Sequence, residues 1–224
     1  MFGRTISLIG KENFTKVQNK TIIVLGVGGV GSYAVEALVR SGVNHLVIVD
    51  ADKIEISNLN RQLMTNIHNV GKYKVDVLEE RIKNINPSCK VDKIKEFITP
   101  ENLNLIFDYN PDFIIDAIDT LKTKKALIKE CLIRKVKFIS STGMGNKLDA
   151  TKVTITDLSK TSYDKIAKEL RIFVKKERLK GKIPVVFSDE KPIENNGVIA
   201  SIVFVPATAG LLCANYVINE IIKR

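Results

Sequence analysis

Apolar residues occur along this chain in short unbroken runs that alternate with longer, periodic stretches. The runs at 21–25 (TIIVL), 45–50 (HLVIVD), 112–120 (DFIIDAIDT) and 137–141 (KFISS) are short and rich in β-branched residues, which predicts strands of a sheet buried on both faces. The stretches between them have a helical period. Residues 32–39 place Val35, Leu38 and Val39 on one face, residues 69–84 do the same with Val75, Leu78 and Ile82, and 121–135 gives a third helix. Further strands are predicted at 90–97, 152–156 and 183–188, a short helix at 100–110, and a helical arm over residues 1–20 whose helix runs from 2 to 17. Strand and helix alternate throughout. The expected fold is therefore α/β, a Rossmann-like doubly wound and mostly parallel sheet.

One apolar stretch needs separate treatment, because residues 198–219 carry no charged side chain and are long enough to span a bilayer. Pro206 divides it. A strand-like SIVFV at 201–205 followed by a core helix of about a dozen residues is the expectation, with no stable membrane insertion.

At 224 residues the chain is long enough for one sizeable core, and we expect a single domain over 1–224 with a basic insertion or crossover segment at 157–197. The charge departs from the ordinary: 35 Lys plus Arg against 25 Asp plus Glu give +10, a balance that favours a polyanionic partner. Much of the excess is local. Residues 160–182 hold nine cations against three acids, with Leu170, Phe173 and Val174 forming an apolar face, so a basic amphipathic helix on the ligand-facing side of the sheet is predicted. Cys89, Cys131 and Cys213 form no CxxC pair, which excludes a disulfide framework and a four-cysteine zinc site within one chain. No structural zinc is expected, and with no apolar signal core in the first dozen residues the expected compartment is the cytoplasm.

The candidate chemistry begins at Gly26, Gly28, Gly29 and Gly31, a turn between strand and helix that offers backbone N–H groups to a phosphate. GxGxxG alone also serves nicotinamide and flavin enzymes. Asp50, 24 residues past Gly26, stands where such folds bind ribose hydroxyls. The loop beyond it carries Asp52, Asn58, Asn60, Arg61 and Gln62, amides for a nucleotide and a guanidinium for its phosphates. Lys72 and Lys74 fall in the first turn of the next predicted helix, where a cation opposes the dipole unless an anion sits there. Asp116 and Asp119 end the fourth strand; Asp119 reads as a Mg2+ ligand if ATP is bound, with capping or a structural role as the alternative for each acid. Arg4 is the one arginine before the first strand. His45 and His68, the two histidines, read as structural or solvent-facing, which leaves an oxidoreductase without an obvious proton-handling group.

In order and spacing, GVGGVGS, IVDADKIEISNLNRQ, VGKYK, INP and DAIDT resemble the ThiF/MoeB/HesA superfamily, the adenylating enzymes related to ubiquitin activation. The resemblance covers essentially the whole chain. It implies that Gly29 lies against nucleotide phosphates, that Asp50 holds the ribose, and that Asn58, Arg61 and Lys74 contact ATP. Further nucleotide contacts are implied for Gly26, Gly28, Gly31, Asp52, Gln62 and Thr120. It also implies that Asp119 organises Mg2+ and that Arg4 reaches the partner's site in a homodimer. TDLSKTSYDKIAKELR and VVFSDEKP are similar to the TcdA branch, the tRNA threonylcarbamoyladenosine dehydratases. That branch implies ATP-dependent adenylation of the threonyl carboxylate of the modified adenosine beside the anticodon, then ring closure with loss of AMP. Related systems pair such enzymes with a cysteine desulfurase and sulfur acceptor. The alternatives are an adenylyltransferase acting on the Gly-Gly terminus of a sulfur carrier, an NAD-linked oxidoreductase, and a silent nucleic-acid-binding relative.

Overall fold

The computed structural model describes residues 1–223. Two short helices, α1 (Gly3–Ile9) and α2 (Lys11–Gln18), open the chain where one was expected. Gly10, at φ 82°, breaks the arm. There follow β1 (Thr21–Leu25), α3 (Gly31–Arg40), β2 (His45–Val49), α4 (Lys74–Ile85), β3 (Lys90–Ile94), α5 (Asn104–Phe107) and β4 (Phe113–Asp116). The second half comprises α6 (Leu121–Arg134), β5 (Lys137–Ser141), β6 (Val153–Asp157), α7 (Lys165–Lys176), β7 (Pro184–Ser188) and α8 (Phe204–Ile222).

The seven strands form one sheet in the order β3-β2-β1-β4-β5-β7-β6, parallel except where the edge strand β6 runs against β7. It is the α/β, mostly parallel doubly wound architecture expected from the alternating runs. Strand order reverses between β1 and β4, the switch point at which open α/β sheets bind ligands. Register levels the edge there: Leu25 lies opposite both Val49 and Asp116, and Asp116 opposite Ser140, so the turns after β1, β2, β4 and β5 stand side by side.

Alternation along each strand feeds two cores. Ile22, Val24, Leu46, Ile48 and Ile115 face α3, α4 and α8, whereas Ile23, Leu25, Val47, Val49 and Ile114 face α5, α6 and α7. α8 is long and apolar enough to cross a membrane by length and composition. Its packing accounts for that character. Val205, Ala209, Cys213, Ala214 and Val217 join the first core, and a Cβ placed on Gly210 would lie 2.2 Å from the Val30 carbonyl, so α8 and α3 meet at backbone distance.

Several boundaries differ from the sequence expectation. α8 starts at Phe204, so 201–205 is loop and first helical turn rather than a strand; proline is tolerated there because the first turn's N–H groups have no intrahelical partner. α4 starts at Lys74 because Gly71, at φ 88°, interrupts the expected helix, which leaves Lys72 outside it. β3 stops at Ile94, α5 occupies only the middle of its predicted span, and β4 ends at Asp116, so Asp119 lies in the following loop. The basic segment is helical only in α7. Arg178 and Gly181 at positive φ end it, and its body packs through Ala167, Leu170 and Val174 into the second core beside α6 instead of lying along the ligand edge. Residues 157–197 also contribute β7, which β5 and β6 flank.

Candidate functional site

A cleft of about 1430 Å³ runs along the carboxyl ends of the strands. Of the sequence candidates, Gly26, Gly28, Gly29, Asp50, Asp52, Asn58, Asn60, Arg61, Gln62, Lys74, Asp119 and Thr120 line it. Gly31 and Arg4 do not. Gly31 serves packing: a Cβ there would lie 1.8 Å from the Gly26 carbonyl, so only glycine lets α3 start against the turn. Arg4 is exposed on α1, away from this cleft.

The glycine turn is braced from both sides. The N–H groups of Val27 and Asp52 each donate to Asp50 at 2.9 Å, which fixes both carboxylate oxygens at the tip of β2. A side chain on Gly28 would meet only the Gln62 amide nitrogen at 3.7 Å, so this residue leaves its backbone open to the cleft. Gly29 sits between the aliphatic stem of Arg61 and the ring of Pro206.

The loop after β2 presents its polar groups through local hydrogen bonds. Asn58 closes a capping box with Glu55 around a 3-10 turn (Ile56–Asn58). Arg61 Nη1 donates to the Ser57 carbonyl (2.8 Å) and to Asn60 Oδ1 (2.9 Å), which orients the guanidinium. Asn60 in turn donates to the Ser201 carbonyl and ties this loop to the segment before α8. Lys74, 5% exposed, meets Asp52 Oδ2 at 2.6 Å and Asp50 Oδ1 at 3.6 Å. The anion that offsets a lysine at the head of α4 is thus supplied by the chain itself. Buried Gln62 Oε1 has no partner among the described residues, an acceptor whose desolvation costs about 1–3 kcal/mol until a donor meets it. Such an open acceptor beside an open glycine suits a nucleotide.

Asp116 is fully buried and is not a metal candidate. Its Oδ2 accepts from Lys124 Nζ (2.7 Å) and Ser140 Oγ (2.7 Å), and Lys124 also donates to the Ser141 carbonyl, which clamps β4, β5 and α6 under the cleft floor. Sequence reading passed over Lys124, although it shares the helical stripe of Leu127, Ile128 and Cys131 and so carried a signal. Asp119 is exposed at the rim with no ion pair, and no group of three or more His, Cys, Asp or Glu able to hold a metal occurs among the described residues. Any cation there would need oxygens from a ligand.

The far half of the cleft comes from residues that sequence reading left unassigned. The Asp164 carboxylate caps α7 through the Ala167 N–H (2.6 Å) and accepts the Gly143 N–H (2.7 Å), joining the basic helix to the glycine turn after β5. Lys147 is buried, donates to the Ser188 carbonyl at 2.9 Å, and has its ammonium pKa lowered by burial against the opposing pull of Asp164, Glu190 and Asp189. Tyr163, Lys165 and Lys191 complete the mouth. The thiols take no part: burial pushes Cys89 to about 11 and Cys213 to about 12, and raises Cys131 as well. His45 is structural, bonded to Thr21 and Asp92.

A glycine turn at the switch point, a carboxylate fixed at the tip of β2 and an oriented arginine define a nucleotide-binding α/β protein. The sequence pattern of the ThiF family matches residues 2–224, and the chain belongs to that family. It is 43% identical over 240 residues to the tRNA threonylcarbamoyladenosine dehydratase of Bacillus subtilis (strain 168), covering 99% of this chain and 94% of that one. Against the enzyme of that name from Escherichia coli (strain K12) the identity is 36% over 224 residues, with 100% and 82% covered. The crystal structure of E. coli tRNA N6-threonylcarbamoyladenosine dehydratase, TcdA, in complex with ATP superposes at a TM-score of 0.93 with 33% identity, covering 98% of this chain and 93% of that chain.

Proposed function

We propose that this chain catalyses the ATP-dependent dehydration of threonylcarbamoyladenosine in tRNA. The observation that carries the reading is one continuous cleft that begins at the glycine turn and ends at the head of a cationic helix. Near-complete mutual coverage with dehydratase relatives supports it.

The chemistry follows from the two halves. A threonyl carboxylate oxygen attacks the α-phosphorus of ATP, and pyrophosphate leaves. The carbamoyl group of the same nucleoside then attacks the activated carbonyl carbon, a ring closes, and AMP departs with the former carboxylate oxygen while a proton is released. Water is thereby lost without appearing as a free molecule. Asp50 holds the ribose, Gly28 and Gly29 give backbone N–H groups to the phosphates, and Arg61 stabilises the departing charge. Lys74 adds its ammonium if the nucleotide competes with Asp52 for it, and Asn58, Gln62 and Thr120 complete the nucleotide contacts. An exposed carboxylate repels a triphosphate unless a divalent cation offsets the charge, so Asp119 is the residue that would hold Mg2+, which would supply neutralising charge for the departing pyrophosphate. Because the nucleophile belongs to the substrate, positioning supplies much of the acceleration and no catalytic cysteine is needed.

The RNA would lie along α7. Glu169 and Glu177 are taken up by Lys125 and Lys129 of α6, which leaves Lys165, Lys168, Lys175, Lys176 and Arg178 without ion pairs among the described residues. Reversing Lys175, Lys176 and Arg178 to Glu should lower the slope of log affinity against log salt by roughly two to three. An unchanged slope would remove α7 from the RNA interface. Arg4, exposed and remote from its own cleft, fits a residue offered to the partner's cleft in a homodimer, and the enzyme would act where tRNA is found, in the cytoplasm.

The test is ATP–pyrophosphate exchange with Mg2+, with and without tRNA bearing threonylcarbamoyladenosine, followed by nucleoside mass spectrometry. Stimulation by the modified tRNA and loss of one water are expected. Exchange that responds instead to a carrier protein ending in Gly-Gly would replace this reading with sulfur-carrier adenylation.

A further inference from the structure

Tyr163 stands at the mouth of the cleft, 62% exposed, with its backbone at φ 51°. A bulky residue is strained in that left-handed region and stays there only when its neighbours leave it no choice. They are fixed on both sides. The Ser162 hydroxyl donates to the Asp189 carboxylate, and buried Thr161 donates to the Leu158 carbonyl while its own carbonyl receives Arg171. On the other side Asp164, 6% exposed, is held by two backbone N–H groups from different elements. The backbone that carries the ring is therefore fixed at the mouth of the cleft. It has no ring or cation partner among the described residues, and Lys165 and Lys191 border the same stretch of the lining.

We propose that Tyr163 is a stacking platform for an unpaired nucleobase beside the nucleotide that enters the cleft. The inference rests on the RNA reading above and adds a specific contact to it. Single-stranded RNA is held by aromatic faces that stack bases together with cations that track phosphates, and here the aromatic face immediately precedes the first turn of the cationic helix. The adenine of ATP is the rival occupant. Tyr163 is tied through Asp164 to the turn after β5, two strands from β1 and so about 10 Å from the glycine turn at ordinary strand spacing. Asp50 places the ribose on the opposite side of β1, farther still.

The chain contains no tryptophan, so Tyr163→Trp would carry a single indole. We expect its fluorescence to be quenched by an anticodon stem-loop RNA and not by ATP. Tyr163→Ala should weaken binding of the same RNA about tenfold or more at fixed salt, and Tyr163→Phe by less than about twofold. The salt slope should not change, since no charge is removed. Tyr163→Gly relieves the strained backbone and also lacks the ring, so it should keep thermal stability while losing affinity as the Ala variant does; full affinity in this variant would overturn the stacking role. So would quenching by ATP alone, or Tyr163→Ala with wild-type RNA affinity. If the wild-type protein binds no RNA, this inference fails together with the proposed function. If the wild type dehydrates modified tRNA and Tyr163→Ala does so with equal affinity, the stacking inference fails alone.

Discussion

The two halves of the cleft are built on different principles. Around β1 and β2 most of the polar groups are fixed within the loop after β2 by short-range hydrogen bonds, Asp50 to Asp52, Arg61 to Ser57 and Asn60, and Asn58 to Glu55, with the Val27 N–H reaching Asp50 from 23 residues away. Around β5 and β7 the contacts that join one loop to another span longer stretches of sequence, as with Gly143 to Asp164, Lys147 to Ser188, Leu148 to Glu190, and Asn146 to Val198. The first arrangement suits a ligand whose shape never varies. The second suits one that must be admitted in pieces, because loops held by a few long-range contacts open at lower cost than a hydrogen-bonded turn.

Removing what the halves share should have the largest effect. Lys124→Met leaves Asp116 as an uncompensated buried charge beneath the floor common to both, and should cost about 3–5 kcal/mol in urea melts. Asp116→Asn in the same chain should recover part of that loss; no recovery would mean the pair is not the seam. Arg61→Ala touches only the nucleotide half, and should lower pyrophosphate exchange by about 10² to 10³ with the melting curve nearly unmoved. Asp164→Asn probes the other half, since an amide can accept from only one of the two N–H groups that the carboxylate serves. Turnover with modified tRNA should fall about tenfold while the KM for ATP is unchanged, and a rise of about tenfold in the KM for ATP as well would show that the halves are not separable.

The smallest effect concerns the scaffold of the nucleotide half alone. Burial raises the Glu36 carboxyl pKa, but hydrogen bonds from Arg81 and Arg40 outweigh it and hold the group below 4.5. A carboxyl depressed in the folded state adds stability above its unfolded value, and that stability is lost as pH falls through the folded one. Glu36→Gln should therefore cost about 1 kcal/mol at pH 7 and nothing once the pH has fallen below the depressed folded-state value, where the two curves meet. Curves that remained parallel would exclude the linkage.

This division also explains what could be read from sequence. The strand runs, the glycine turn and the loop from Asp50 to Gln62 were legible because each is a local run of residue types, even where a distant group such as Val27 or Ser201 also holds it. The partner of Lys74 was missed because charge at a helix start was weighed against a ligand, while Asp52 stood 22 residues away on the facing loop. The partners of Lys124, Lys147 and Asp164 were invisible for a stronger reason. Each is a group on a different strand or loop, and nothing in a single chain without its fold states that Ser140 or Gly143 will be adjacent. The basic segment was legible as charge but not as placement, since only packing decides which face of α7 is buried.

Pro206 lies against Gly29, so the wall behind the phosphate turn belongs to the first turn of α8. Synthesis reaches β1, the glycine turn and β2 long before it reaches that helix. A nascent chain can close its early strands into a sheet while the turn still lacks its backing, and the face of the sheet beside α3 stays uncovered until Gly210 docks on Val30. A chain that ended before α8 would keep its strands and lose the wall behind Gly29.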